Sequence, residues 1–73
     1  MRERYIEFPS NLGFLNTERF LEDMDVYYMV DRIDYAYDER YFLLRTKNVD
    51  DFEFDELLTI LEDEFGRGDV REV

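Results

Sequence analysis

Cysteine, histidine and tryptophan are missing from this chain of 73 residues. Without Cys there is neither a disulfide nor a thiolate metal site. Without His the usual zinc sites are excluded, and so is the commonest general base. Pro occurs once and Gly three times, so Pro9, Gly13 and Gly66 stand out as punctuation. No apolar run is long enough to span a membrane. The N-terminal MRERYIEF carries charges but lacks the apolar stretch and small-residue cleavage site of a signal peptide. The expected location is therefore the cytoplasm. A chain of this length makes one domain, residues 1–73, with one modest core. Its stability must come from packing, helped by self-association.

Negative charge and aromatic rings are what the chain has in plenty. Twenty Asp and Glu face nine Lys and Arg, for a net charge of −11. Nucleic acids and anionic membranes are polyanions, so this balance argues against binding either directly. It favours a basic partner, a metal cation, or simple solubility. Seven Phe and six Tyr bury much area each, and surplus ones often sit at interfaces.

The clearest stretch is Asp50 to Phe65, DDFEFDELLTILEDEF. Phe54, Leu57, Leu58, Leu61 and Phe65 recur at steps of three and four and line one face of a helix. Asp50 and Glu53 have the spacing of a capping box, and Gly66 falls where a left-handed C-cap is expected. Eight carboxylates and no Lys or Arg lie between Asn48 and Gly66, which is −8 of the net −11. Acidic residues in the first turn suit the helix dipole, whereas Glu62, Asp63 and Glu64 oppose it. Solvated faces ordinarily mix signs, because like pairs four apart cost a few tenths of a kcal/mol. A pattern kept against local stability points to a task for the acidic face.

Upstream, Arg4 to Phe8 reads as a strand that Pro9 stops, with Tyr5 and Glu7 on one side and Ile6 and Phe8 on the other. Leu12, Phe14 and Leu15 make the following loop pack inward. Asn16 or Thr17 is expected to cap a first helix, with Glu18 in its first turn, a stripe of Phe20, Leu21 and Met24, and an end near Asp23 to Asp25. Val26 to Tyr37 reads as a long strand in which a bulge near Asp31-Arg32 corrects a slip of alternation. Asp38-Glu39 marks the hairpin tip, in a loop longer than two residues, and Arg40 to Lys47 returns. Residues 67–73 read as a frayed polar tail. The expected fold is therefore α+β in β-α-β-β-α order: a three-stranded antiparallel sheet with two helices on one face and its other face bare.

No catalytic constellation emerges. Ser10 has no His to activate it, and so small a chain leaves little room for a substrate cleft. Asp23, Asp25, Asp31 and Asp34 lack the register of a calcium loop. Neither an enzyme nor a cofactor is expected. Arg67-Gly68-Asp69 matches an adhesion tripeptide that is common by chance. A second constellation of acids and tyrosines runs from Asp25 to Tyr41. Strand acids two apart sit about 6.6 Å apart, and helical acids four apart about 6 Å, close to the phosphate spacing along a nucleic-acid strand. Eleven charges correspond to roughly 19 Å of duplex.

On the acidic run Asp50 to Glu64 and the Asp/Tyr stretch 25–41, the chain resembles the small acidic proteins that bacterial viruses make to disable host machinery, many of which look like DNA to their targets. The likeness is one of size, charge and missing chemistry, with no alignable motif. It implies a non-catalytic inhibitor of a basic nucleic-acid-binding host protein, such as an HU-type nucleoid protein or RNA polymerase. The expected partner-binding residues are Asp31, Asp34, Tyr35, Tyr37, Asp38 and Glu39 of the hairpin, and Asp51, Asp55, Glu56, Glu62 and Asp63 of the acidic helix. The other expectation is a structural or assembly domain, a homodimer through the bare sheet face or the loop Leu12 to Leu15, whose acidity serves only solubility.

Overall fold

The computed structural model describes residues 3–73. The order of elements is β1 (Tyr5–Pro9), α1 (Phe14–Asp23), a 3-10 turn (Tyr27–Met29), β2 (Val30–Ala36), β3 (Tyr41–Thr46), α2 (Asp51–Phe65) and β4 (Arg71–Glu72). The strands form one four-stranded sheet in the order β2-β3-β1-β4, with every neighbouring pair antiparallel. Ile6 lies opposite Leu44 and Phe8 opposite Phe42, while Ile33 continues the Leu44 row. Directly opposed residues share a face, so these side chains form one apolar surface.

Both helices cover that surface, as expected. Phe14 of α1 meets the Phe42 ring edge-on at 5.7 Å, and Phe65 of α2 meets Phe8 at 5.0 Å. Phe20 then bridges the two helices by an edge contact with Phe65 at 6.2 Å. Leu21, Phe54, Leu57 and Leu61 are fully buried between helices and sheet. The capping box is present: the Asp50 side chain accepts from the Glu53 N–H, and the Glu53 carboxylate accepts from the Asp50 N–H. Gly66 has the expected positive φ of 100°, but its ψ of 134° is extended rather than left-handed helical.

The first helix begins earlier than its polar residues suggest. Neither Asn16 nor Thr17 caps it. Gly13 takes that position with φ 79° and without a side-chain cap, because Phe14 is drawn into the helix by its contact with Phe42. Thr17 is buried and its hydroxyl has no hydrogen-bond partner among the described residues, and Asn16 donates to the Leu12 carbonyl at 3.1 Å. Glu18 lies beyond the first turn and accepts instead from the Tyr27 hydroxyl at 2.5 Å. The C-terminus is a Schellman motif: the Val26 N–H bonds Leu21 O at 3.1 Å and the Asp25 N–H bonds Glu22 O at 3.0 Å. Asp25 takes the left-handed position (φ 59°), and Val26 packs down against Leu21. That closure delays β2 to Val30.

Along β2 the register shifts between Val30 and Arg32, so the bulge expected near Asp31-Arg32 is present and Asp31 is the extra residue. The hairpin loop is longer than two residues: Ala36 pairs with Tyr41, leaving residues 37–40. Tyr37, Asp38 and Glu39 all have positive φ (52°, 58° and 69°), a run that L-residues adopt at a cost of roughly 1–2 kcal/mol each. Ser10 holds the loop, donating its hydroxyl to Glu39 O and its N–H to Arg40 O at 3.0 Å.

The sheet has four strands rather than three, because the expected tail is not frayed. Val70 is 5% exposed and joins the core. Arg71 pairs opposite Glu7 and Glu72 opposite Ile6. Ion pairs with residues far away in sequence fasten the segment, Arg71 to Glu7 at 3.0 Å and Glu72 to Arg4 at 2.7 Å. A polar composition hides such partners. If β4 is integral, Val70→Ala lowers stability by about 2 kcal/mol, the loss of two buried methyl groups. A frayed segment would leave the urea midpoint where it was.

Candidate acidic binding surface

The two layers of the fold differ sharply in charge. Residues 14–25 and 50–65, the helices with their caps, hold twelve of the twenty carboxylates and one of the nine cations, Arg19. All of the net −11 therefore lies in the helix layer. The remaining eight carboxylates are matched by eight Lys and Arg, and on the sheet several of them are paired off. Arg45 binds Asp31 (Nε–Oδ2 2.7 Å), Arg32 binds Asp34 (2.8 Å) and Arg71 binds Glu7 (3.0 Å). The hydrogen bond that Arg45 donates to Asp31, followed by one to Tyr5, holds Arg45 above its ordinary pKa, and the bond donated to Glu7 does the same for Arg71.

The expected site residues consequently fall on two different surfaces. Asp34 lies opposite Leu43, on the sheet face turned away from the helices, and it and Asp31 are each neutralised by an arginine. Tyr37 stands on the same side, where it lines a shallow depression of about 280 Å³ with Glu7, Tyr41, Gly68, Asp69 and Arg71. Its ring meets Tyr41 edge-on at 5.9 Å. Glu7 is only 5% exposed on this face, where the Arg71 side chain bonds it. Tyr35 belongs to the helix side and stacks on Phe42 at 4.9 Å. Asp38 and Glu39 are exposed on the loop.

The helix residues do form one surface. Asp51 is 98% exposed and bonds Arg4 at 3.1 Å. Among the described residues, Asp55, Glu56, Glu62 and Asp63 have no salt-bridge partner. Arg4 lies nearby: its fork holds Glu72, and its guanidinium carbon sits 3.6 Å above the Phe54 ring. The Glu72 hydrogen bond, with Asp51 and Asp55 adding to it, raises the Arg4 pKa. Fifteen residues of α2 span about 22 Å. With Asp50, eight carboxylates on that length give roughly one charge per 3 Å, against 3.4 Å per phosphate on a DNA strand.

Apolar residues that the sequence reading passed over stand in the same surface. Phe52 is 81% exposed and Tyr28 59%. Two residues before Phe54, Phe52 lies about 160° around the helix from the core stripe. That misfit of phase was the available signal. Phe52, Asp55, Glu56, Thr59 and Ile60 line an open groove of about 470 Å³. For Tyr28, partial desolvation first, then the charges of Glu53, Glu56 and Asp50, push the hydroxyl pKa up. Among the described residues, no group of three or more acidic side chains is arranged to hold a metal ion, and no helix is long and apolar enough to cross a membrane.

Tyr27 supplies a test of this electrostatic picture. Its hydrogen bond to Glu18, then its burial, raise its pKa above the ordinary tyrosine value near 10. The protonated phenol is the form favoured by folding. Its contribution is therefore fully present below pH 10 and is lost as pH climbs through the raised value. Urea midpoints of the native chain and Tyr27→Phe, measured from pH 8 to 11, are expected to differ by a constant amount up to pH 10 and to converge above it. No protein-family model, curated protein or solved structure matches the chain.

Proposed function

We propose that this chain is a non-catalytic binding protein whose acidic helix layer stands in for a nucleic-acid backbone. On this reading it competitively blocks the basic nucleic-acid-binding surface of a host protein, an HU-type nucleoid protein or RNA polymerase. The supporting observation is the partition of charge: all of the net −11 is carried by the helix layer, and α2 approaches the linear charge density of a DNA strand. Of the residues expected from sequence, Asp55, Glu56, Glu62 and Asp63 carry this role best, while Asp51 on the same helix shares its charge with Arg4. Asp31 and Asp34 carry it less well, because arginines already neutralise them. Attraction between such a surface and a basic groove speeds association, and salt screens it.

Displacement of duplex DNA from purified HU-type protein or RNA polymerase is the direct test. The chain is expected to release DNA from one of them, with an apparent affinity that falls steeply between 50 and 200 mM salt. Reversal of Asp55, Glu56, Glu62 and Asp63 to Lys should abolish the release. Binding that persists unchanged in about 1 M salt would rule out charge mimicry.

One observation favours the structural-domain reading as the alternative. The sheet side balances its charges and exposes Tyr5 and Tyr37, so two copies could meet there without the repulsion that opposed helix layers would suffer. Sedimentation equilibrium separates the two cases. A dimer that dissociates on Tyr37→Asp, in a chain that displaces no DNA, would favour assembly over inhibition.

A further inference from the structure

We infer that the groove on α2 docks a cationic amphipathic segment of a protein partner, with Phe52 as its apolar anchor and Asp55 and Glu56 as its flanking charges. This site rests on the acidic-surface reading above and narrows it to a class of partner. Phe52 is almost wholly exposed and takes no part in the core cluster. Thr59 and Ile60 extend its apolar surface along the groove, which runs about 12 Å from Phe52 to Ile60 at the rise of a helix. Tyr28, half-exposed and within the electrostatic reach of Glu53 and Glu56, is a second uncovered ring. A phosphate backbone presents no such rings, so a surface that imitated charge alone would have no use for them. Aromatic residues ringed by polar ones are the usual anchors of protein interfaces.

Charge complementarity selects the occupant. A second copy of the chain would set the eight carboxylates of residues 50–65 against eight more. Nucleic acid and anionic lipid would meet the same repulsion. What fits is a protein segment with Lys or Arg spaced to reach Asp55, Glu56 and Asp63 and with an apolar side chain between them to cover Phe52 and Ile60. Helical residues at steps of three and four provide that spacing. The anchor would give such a complex a component that survives moderate salt, where pure charge attraction fades.

Calorimetric titration with two synthetic peptides tests this. Both contain the same Lys, Leu, Phe and Ala residues, one ordered as an amphipathic helix and the other scrambled. The native chain is expected to bind the amphipathic peptide about tenfold more tightly than the scrambled one. Phe52→Ser should erase that preference while leaving the far-ultraviolet circular dichroism unchanged. Phe52→Gln, a better helix former, serves as the second variant should the first lose helicity. Asp55→Asn with Glu56→Gln should weaken both peptides. A preference that survives loss of the Phe52 ring overturns the anchor and leaves the acidic surface standing. Unchanged binding of both peptides to the Asp55/Glu56 double variant would overturn the acidic-surface reading as well.

Discussion

Arg4 is the side chain on which the most distant parts of the molecule converge. It stands immediately before β1, where its N–H donates to the Thr46 hydroxyl of β3 at 2.9 Å. Its guanidinium then grips Glu72 of β4 through two bonds of 2.7 Å, reaches Asp51 at the head of α2, and rests on the ring of Phe54. A planar fork makes all of these contacts at once, which a lysine ammonium cannot do. The contacts join both ends of the described chain to the helix that most needs restraint. Eight carboxylates on α2 and its cap repel one another, and the buried stripe Phe54, Leu57, Leu61 and Phe65, with Arg4, holds them against the sheet.

From that restraint follows the division of the molecule into an acidic layer and a balanced one. The helices can crowd their charges because their apolar stripes are anchored on Phe8 and Phe42. The sheet needs its arginines for a different purpose. Arg45 and Arg71 tie bulge, hairpin strand and edge strand together through Asp31 and Glu7. Cations used in this way are not available to neutralise α2. The acidity of the helix layer is thus partly a consequence of where the sheet spends its positive charge.

Much of the architecture was legible in the sequence, and the places where it was not have common causes. The second helix was readable end to end, because its periodicity, capping box and terminal glycine agree. The bulge at Asp31 was readable from a slip in alternation, and the loop at Asp38-Glu39 from its missing Asn-Gly. What could not be read were features settled by long-range contacts. Phe14 extends α1 backwards because Phe42 is there to receive it. Arg71 and Glu72 form a strand because Glu7 and Arg4 wait for them more than sixty positions away in sequence. For the candidate site, the acids of α2 were identified from sequence, but their separation from Asp31 and Asp34 depends on which sheet face the hairpin presents. Phe52 was overlooked because its place off the core stripe marks an exposed position without saying whether an aromatic ring there has a use.

The division into layers also gives the molecule a large electric dipole. With the balanced sheet behind and all the surplus charge in front, the field of a basic surface exerts a torque as well as a pull. The helices are turned toward that surface before contact, and fewer encounters are wasted on the wrong side. Net charge alone, spread evenly over a molecule measuring 30 × 24 × 21 Å, would attract equally well and aim at nothing.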